Sequence, residues 1–370
     1  MRFGYDAKRA FHNFSGLGNY SRDMIRILSN QFPDQYYILY NPKPSKLDWI
    51  KESEHLKIHY PKSKLWKTFS SLWRQRAVSN QIKEDKIDLY HGLSGEIPRG
   101  IDRSKTKVVV TIHDLIFMRF PELYKPVDRK IYFSKVNLAV QNSDVIIAIS
   151  KQTKKDIIHF LKTDENKIKV HYQGCNPAFK KQYSLSTKNN LRERFNLPEK
   201  FILNVGTLEK RKNILSILQA IKDLSYHLVL VGKPTKYFND LKAFIDENHM
   251  QQRIHFIQGL QMKELAALYQ AATLFCYPSV FEGFGIPIIE SLFSKTAVIT
   301  SSGSCFEEAG GPGSVYVKAG DISHLRNEIS DLMENEIRRH RIEELGYAFV
   351  QKFNDENVGN GTMKIYQELF

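Results

Sequence analysis

A chain of 370 residues is longer than one ordinary hydrophobic core and suits two domains. Its composition, 42% hydrophobic and 25% charged without low-complexity tracts, is that of a globular protein, and no apolar run reaches the length of a membrane span. An excess of 54 basic over 40 acidic residues gives a formal charge of +14 and favours anionic partners, while three cysteines (Cys175, Cys276, Cys305) without metal-ligand spacing argue against a disulfide framework or a metal site.

In chain order, residues 1–6 read as a strand, not as a basic and then apolar leader, so a cytoplasmic protein is expected. Gly16-Leu17-Gly18 precedes a helix over 19–32, and Tyr36–Tyr40 reads as a strand. Residues 62–76 carry five bases (Lys62, Lys64, Lys67, Arg74, Arg76) and no acid. Trp66, Phe69 and Trp73 stand there at helical i, i+3, i+7 spacing. A stripe packed on the first domain is the favoured reading, and an interfacial helix touching an anionic membrane at its inner face is the alternative. Lys107–Ile112 and 145–149 read as strands around a helix over 128–142.

The second half alternates more cleanly. Phe201–Val205, His227–Val231, Ile254–Ile257, Leu274–Tyr277 and 297–300 are short apolar runs separated by segments of helix length. Buried parallel strands read this way and need helical crossovers, so both halves are expected to be doubly wound, Rossmann-like α/β domains. The polar stretch 180–190 is the expected linker, dividing the chain into 1–180 and 190–353. A helix in 354–370 follows and is expected to pack back toward the first domain, although Gly359 and Gly361 weaken it.

Open α/β sheets bind ligands beyond the carboxyl ends of their strands, so the loops there carry the candidate chemistry. Phe281-Glu282-Gly283-Phe284-Gly285-Ile286-Pro287-Ile288-Ile289-Glu290 follows the strand Leu274–Tyr277. Its glycines permit close backbone approach, and Pro287 suits the first turn of a new helix. The opening of that helix would aim free N–H groups and a positive dipole end at an anion such as a diphosphate. After Phe201–Val205 comes Gly206-Thr207-Leu208-Glu209-Lys210-Arg211-Lys212-Asn213, a glycine followed by three consecutive bases. Lys offers phosphate a compact charge and Arg a fork of donors. A glycine turn and a solvated basic turn explain either segment taken alone; their joint position at strand ends favours the functional reading.

Taken together these segments resemble the retaining family 4 glycosyltransferases, also called group 1, which have the GT-B fold of two Rossmann-like domains facing a central cleft. The resemblance rests on Glu282-x7-Glu290, on residues 206–213, on His113-Asp114 with Pro121-Glu122, on Ala148-Ile149-Ser150-Lys151, and on Gly16-x-Gly18, Gly232 and Gly259. It implies that Lys212 and Arg211 bind the donor diphosphate, that Glu290 holds the ribose and that Glu282 meets the donor sugar. It also implies that Gly206, Thr207 and the backbone of Phe284, Gly285 and Ile286 cradle the donor, with Gly16 and Gly18 approaching from the first domain. His113 would contact the transferred sugar; a histidine that merely ends a strand is the competing reading. The run from His91 to Phe117 most resembles mannosyltransferases of bacterial surface polysaccharide synthesis. Mannose from GDP-mannose, passed to a glycan or lipid-linked saccharide, is therefore the leading expectation, with UDP-sugars second. No Asp-x-Asp is present, and the resemblance implies catalysis without a metal or other cofactor. The chain departs from the family at Ser291–Lys295 as written (Ser291-Leu292-Phe293-Ser294-Lys295), at Ala297, and at Glu308 and Gly311.

Two other classes stay open at this level. A basic, non-enzymatic binding protein would explain the charge but not two glycine loops at strand ends, and no nucleic-acid motif accompanies it. Another two-domain Rossmann enzyme is the stronger rival. A dehydrogenase is disfavoured because Gly16-Leu17-Gly18 lacks the third glycine of its fingerprint; a nucleotide-sugar epimerase is not excluded.

Overall fold

The computed structural model describes residues 1–14, 16–45, 47 and 49–370. It contains two wholly parallel sheets. The first holds β1 (Arg2–Asp6), β2 (Tyr36–Tyr40), β3 (Leu56–His59), β4 (Leu89–Gly92), β5 (Lys107–Ile112), β6 (Val145–Ala148) and β7 (Ile168–Val170), in the order β3-β2-β1-β4-β5-β6-β7. The second holds β8 (Phe201–Val205), β9 (His227–Val231), β10 (Ile254–Ile257), β11 (Leu274–Tyr277), β12 (Ala297–Ser301) and β13 (Ser314–Val317), in the order β10-β9-β8-β11-β12-β13. Both are doubly wound, Rossmann-like arrangements. The strands expected from apolar runs are present; β3, β7 and β13, which were not expected, are edge strands. An edge strand is covered on fewer sides, so its sequence is mixed, as in Leu56-Lys57-Ile58-His59. The central β4 escaped notice for a different reason: its buried His91 and terminal Gly92 interrupt the apolar run.

The chain divides into two compact units, Met1–Gly174 with Phe353–Phe370, and Cys175–Lys352. The expected linker at 180–190 is thus part of the second unit, a correction with a plain cause. Its Ser, Thr and Asn residues serve as caps and surface positions rather than as a tether. Ser184 caps the helix Leu185–Arg194 by accepting from the Thr187 N–H, the Tyr183 N–H reaches Gln270 Oε1 (3.0 Å), and Gln270 Nε2 donates to the Lys181 carbonyl (2.6 Å).

The last helix, Asp355–Gln367, belongs to the first unit. Val358, Met363, Ile365 and Tyr366 join the core of Phe3, Tyr5, Tyr37 and Leu39, and Arg26 pairs with Asp355 at 2.7 Å. Gly359, which argued against a helix, is what lets this one approach the helix Gly16–Gln31. A Cβ there would stand 1.9 Å from Gln31 Oε1 and 2.8 Å from Ile27 Cγ2.

Residues 62–76 do not form one continuous helix. A helix over Lys64–Thr68 stops at Phe69, a single turn covers Ser70–Leu72, and a wider π turn covers Trp73–Ala77. The break separates the aromatic stripe into different environments. Trp73 is buried, Trp66 packs half-buried against the same cluster, and Phe69 is exposed.

Candidate functional site

In the second unit the order of crossovers reverses between β8 and β11, which makes the carboxyl ends of these two neighbours the switch point of the sheet. Asn204 Nδ2 donates to the Cys276 carbonyl (2.8 Å) and ties the two strands just below it. The loop after β8 turns at Gly206 (φ +148°), where a Cβ would lie 3.6 Å from Lys212 Cε. The bases then form a short 3₁₀ turn, Lys210–Lys212, closed by Asn213 in the left-handed region. Lys210 and Thr207 are exposed, whereas Arg211 and Lys212 turn back toward the loop after β11.

The acceptor of that turn is Glu282, which is 9% exposed. Its Oε1 receives Lys212 Nζ (2.6 Å), Arg211 Nη1 (2.7 Å), Ser279 Oγ (2.5 Å) and Tyr277 Oη (3.0 Å). Burial alone would push the carboxyl up, but Lys212 and Arg211 outweigh it and hold Glu282 down at about 2. The two bases are not equivalent. Arg211 spends its fork on Glu282, on Glu209 (2.6 Å) and on the Phe281 carbonyl, and its own carbonyl accepts from the Val280 N–H (2.9 Å). It is a strut between the loops. Lys212 Nζ uses two of its three N–H bonds, one on Glu282 and one on Tyr277 Oη (2.5 Å).

Beyond Glu282 the chain turns through Gly285 (φ +105°) into the helix Ile286–Phe293. Pro287 is its second residue and offers no N–H, and the Ile288 N–H returns to the Gly285 carbonyl (2.9 Å). The N–H groups of Gly285 and Ile286 meet no acceptor among the described residues. Phe284 is a core side chain, so only its backbone is offered to a ligand. Cys305 Sγ donates toward the carbonyls of Glu282 (3.2 Å) and Phe284 (3.0 Å), pinning the loop from behind. Glu290 lies one turn along the helix, buried, with Tyr269 Oη at 3.3 Å from its Oε2. Tyr277, Ser279 and Cys305 were missed from the sequence. Tyr277 and Ser279 sit at the end of β11 and just past it, a position that could have flagged them; Cys305 acts from a separate loop and had no local signal.

His113, Gly16 and Gly18 lie in the first unit. There the switch point falls between β1 and β4, and a cavity of about 230 Å³ opens at the ends of β1, β4 and β5. Arg9, Glu96, His113, Phe117, Tyr124 and Tyr132 are among its lining residues. His113 Nε2 donates to the Leu93 carbonyl (2.9 Å) and Tyr20 meets the ring edge-on at 4.5 Å. Burial pushes His113 down to about 4, so at neutral pH its Nδ1 is an unprotonated acceptor. Asp114 Oδ1 receives the Ile116 N–H (3.0 Å), a turn contact. Glu96 is fixed by Arg74 (2.6 Å) and Lys135 (3.4 Å). Leu17 brings the start of the helix Gly16–Gln31 to the cavity wall, and Gly16 at its first position is exposed. At Gly18 the space a Cβ would take is filled by the chain itself, the Asn13 carbonyl lying 1.9 Å away.

Residues 187–349 match the family described as Glycosyl transferases group 1, and residues 15–179 match Glycosyltransferase Family 4. The chain belongs to the group 1, family 4 glycosyltransferases. It is thus a nucleotide-sugar-dependent glycosyltransferase, which sets aside the epimerase and the non-enzymatic binding protein. Among its relatives is the O-antigen chain mannosyltransferase B of Escherichia coli, 24% identical over 372 residues that span 96% of each chain. Another is the O-antigen chain mannosyltransferase RfbU of Salmonella typhimurium, 28% identical over 226 residues, 60% of each chain. The GT-B fold of this glycosyltransferase is shared with sucrose-phosphate synthase of Thermosynechococcus elongatus (TM-score 0.79, 20% identity, 100% of this chain and 99% of that one). It is shared equally with Anabaena Alr3699/HepE in complex with UDP-glucose (TM-score 0.78, 17% identity, 100% of both chains). Among the described residues no helix is long and apolar enough to cross a membrane.

Proposed function

We propose that this glycosyltransferase moves mannose from GDP-mannose to a glycan or lipid-linked saccharide of a bacterial surface polysaccharide, in the cytoplasm, with retention of configuration and without a metal or other cofactor. The observation that carries the donor half is the buried cluster at the switch point, where Lys212 Nζ spends two of its three N–H bonds on described residues and the chain after Glu282 opens a helix with the N–H groups of Gly285 and Ile286 meeting no described acceptor. As the glycosidic bond breaks, negative charge grows on the diphosphate. Fixed donors in a dry site stabilise that charge in place of a metal, and they need no reorganisation at the moment of reaction. In this reading Lys212 is the phosphate ligand and Arg211 holds the loops so that it points correctly. Glu282 spends Oε1 on the two bases, leaving Oε2 for a sugar hydroxyl, and Glu290 takes the ribose. Gly206 and Thr207 give the donor a backbone floor.

In the first unit, His113 Nδ1 is placed to accept from a hydroxyl of the transferred sugar, while Phe117, Tyr124 and Tyr132 offer rings for the acceptor to stack on. Retention is assigned to attack on the donor face, with the departing phosphate taking the acceptor's proton, so that no protein carboxylate serves as nucleophile. The mannosyltransferase relatives of O-antigen synthesis support the choice of sugar and of pathway class. Donor turnover across GDP- and UDP-sugars, in buffer containing EDTA, tests the reading. Turnover of GDP-mannose is expected. Activity confined to a UDP-sugar would replace the donor, and loss of activity in EDTA would remove the metal-free clamp.

A further inference from the structure

Behind His113 runs a chain of buried polar groups that neither the donor cluster nor the cavity uses. Tyr20, His91, Thr111 and Tyr366 come from the helix Gly16–Gln31, from β4, from β5 and from the last helix, and none is more than 5% exposed. His91 Nδ1 meets Tyr366 Oη at 2.6 Å, and His91 Nε2 meets Thr111 Oγ1 at 2.8 Å. Thr111 Oγ1 in turn meets Tyr20 Oη at 3.0 Å, and the Tyr20 ring stands edge-on to His113 at 4.5 Å. The chain of contacts closes on itself. His113 Nε2 donates to the Leu93 carbonyl (2.9 Å), two residues beyond His91, and the Gly95 N–H returns to the Thr111 carbonyl (2.9 Å).

Polar side chains in a core cost free energy unless each donor finds an acceptor. One direction of hydrogen bonding satisfies every donor from Tyr20 to Tyr366. Tyr20 O–H donates to Thr111 Oγ1, Thr111 O–H to His91 Nε2, His91 Nδ1–H to Tyr366 Oη, and Tyr366 O–H to Tyr5 Oη (3.4 Å). This run needs a neutral His91, and burial, helped by His113 and His171, pushes His91 down to about 3. Apolar side chains of the same shape would fill the space without any such requirement, so stability alone does not call for the run. What it supplies is direction. It fixes Tyr20 at its hydroxyl, and with it the ring against which His113 stands. None of the four lines the cavity, so they reach its chemistry only through His113.

We propose that Tyr366, His91, Thr111 and Tyr20 are positioning residues for His113, holding its Nε2 on Leu93 and leaving its Nδ1 for the cavity. The last helix of the chain thereby orders the sugar-contacting end of the first sheet. This rests on the reading of His113 given above and goes beyond it by naming what aims the ring. Arg9 is the charge that faces His113, and it is kept in every variant below.

Nitrogen resonances of the histidine rings in the full chain, assigned with His113→Gln, test it beside transfer kinetics from GDP-mannose. In the wild type His113 is expected as the neutral Nε2–H form at neutral pH, with a midpoint at about 4. Thr111→Val and Tyr366→Phe each remove one hydroxyl from the run with little change of shape. Each is expected to raise that midpoint by about one unit or more toward an ordinary histidine, and to lower kcat about tenfold while GDP affinity is unchanged. Thr111→Ser keeps the hydroxyl and should stay near wild type in both readouts. Tyr37→Phe separates positioning from stability. It removes a buried hydroxyl of the same core, bonded to the Leu28 and Phe32 carbonyls outside the run, and should leave the His113 midpoint in place. An unchanged midpoint and kcat in both Thr111→Val and Tyr366→Phe overturns the proposal. So does an equal shift in Tyr37→Phe, which would trace the effect to loosened packing. His113→Gln at wild-type rate would overturn the sugar contact on which the kinetic arm rests, while the resonance arm stands or falls by itself.

Discussion

The switch points of the two sheets are built alike in topology and differ in how much room their loops leave. In the second unit the strand ends are filled by charge: Lys212, Arg211, Glu209 and Glu282 compensate one another, three of them with side chains only 11–13% exposed. In the first unit charge is compensated as well, Arg74 pairing with Asp6 and Glu96, but the strand ends leave a cavity of about 230 Å³ that Phe117, Tyr124 and Tyr132 line beside Arg9, Glu96 and Lys135, with a histidine kept neutral by burial. A diphosphate is small, fixed in shape and highly charged, so a site for it can be preassembled and dry. A saccharide acceptor is large and neutral, and it is better met by rings, hydroxyl-binding groups and room. On the proposed reading, one fold prepares its two ends for two chemistries through its loops.

The contrast can be broken most sharply at Lys212. Lys212→Met should lower the transfer rate by roughly 10²–10³, the usual cost of about 3–4 kcal/mol for one charge-stabilising donor. It also leaves Glu282 with fewer partners, so a lower melting temperature is expected beside the kinetic loss. A folded Lys212→Met enzyme at wild-type rate would place the diphosphate elsewhere.

Acid separates the two ends next. Burial holds His113 at about 4 and His91 at about 3, both below an unfolded histidine near 6.5. The unfolded chain therefore binds more protons between those values, and stability falls as pH drops from about 6.5 toward 4, by up to about 1.4 kcal/mol per unit for each histidine. Glu282, held at about 2, contributes stability that is present above the unfolded carboxyl range and disappears only as pH falls from there toward 2. Denaturant titrations against pH should find both windows in the wild type. Glu282→Gln should shrink the lower window, to which Glu96, held down by Arg74 and Lys135, also contributes, and keep the upper one.

Smaller and more selective effects are expected at Glu290 and Tyr132. Glu290→Ala should weaken donor binding by about tenfold or somewhat more, the scale of a hydrogen bond to a charged group, with less change in kcat. Tyr132→Ala should raise KM for the acceptor several-fold, on the order of 1 kcal/mol for a lost stacking contact, and leave hydrolysis of the donor unchanged. A Tyr132→Ala effect on donor KM instead would erase the division between the two ends.

Much of this was legible in the residues. The buried strands announced themselves as apolar runs, and the loop from Phe281 to Glu290 with the bases at 210–212 pointed to one switch point, because glycines, a first-turn proline and consecutive cations have few other joint uses. What stayed hidden depended on partners distant in sequence. Nothing local says that Arg211 is consumed as a strut by Glu209, Phe281 and Glu282, or that Cys305 supports the loop from 23 residues beyond Glu282. Gly359 misled for the same reason, since it is small to admit Gln31 from another segment. The edge strands β3, β7 and β13 lacked a distinctive pattern because they are only partly covered.

The claim that the Lys212–Glu282 cluster and the helix start at Gly285–Ile286 hold the donor's diphosphate is tested most directly by calorimetric titration of GDP and UDP, in EDTA, into the wild type and into Lys212→Met. The account predicts that the wild type binds the nucleoside diphosphate without metal and that folded Lys212→Met binds it at least about tenfold more weakly, one charge-assisted contact being lost. Equal affinity in the two proteins, or wild-type binding that vanishes in EDTA, would contradict it.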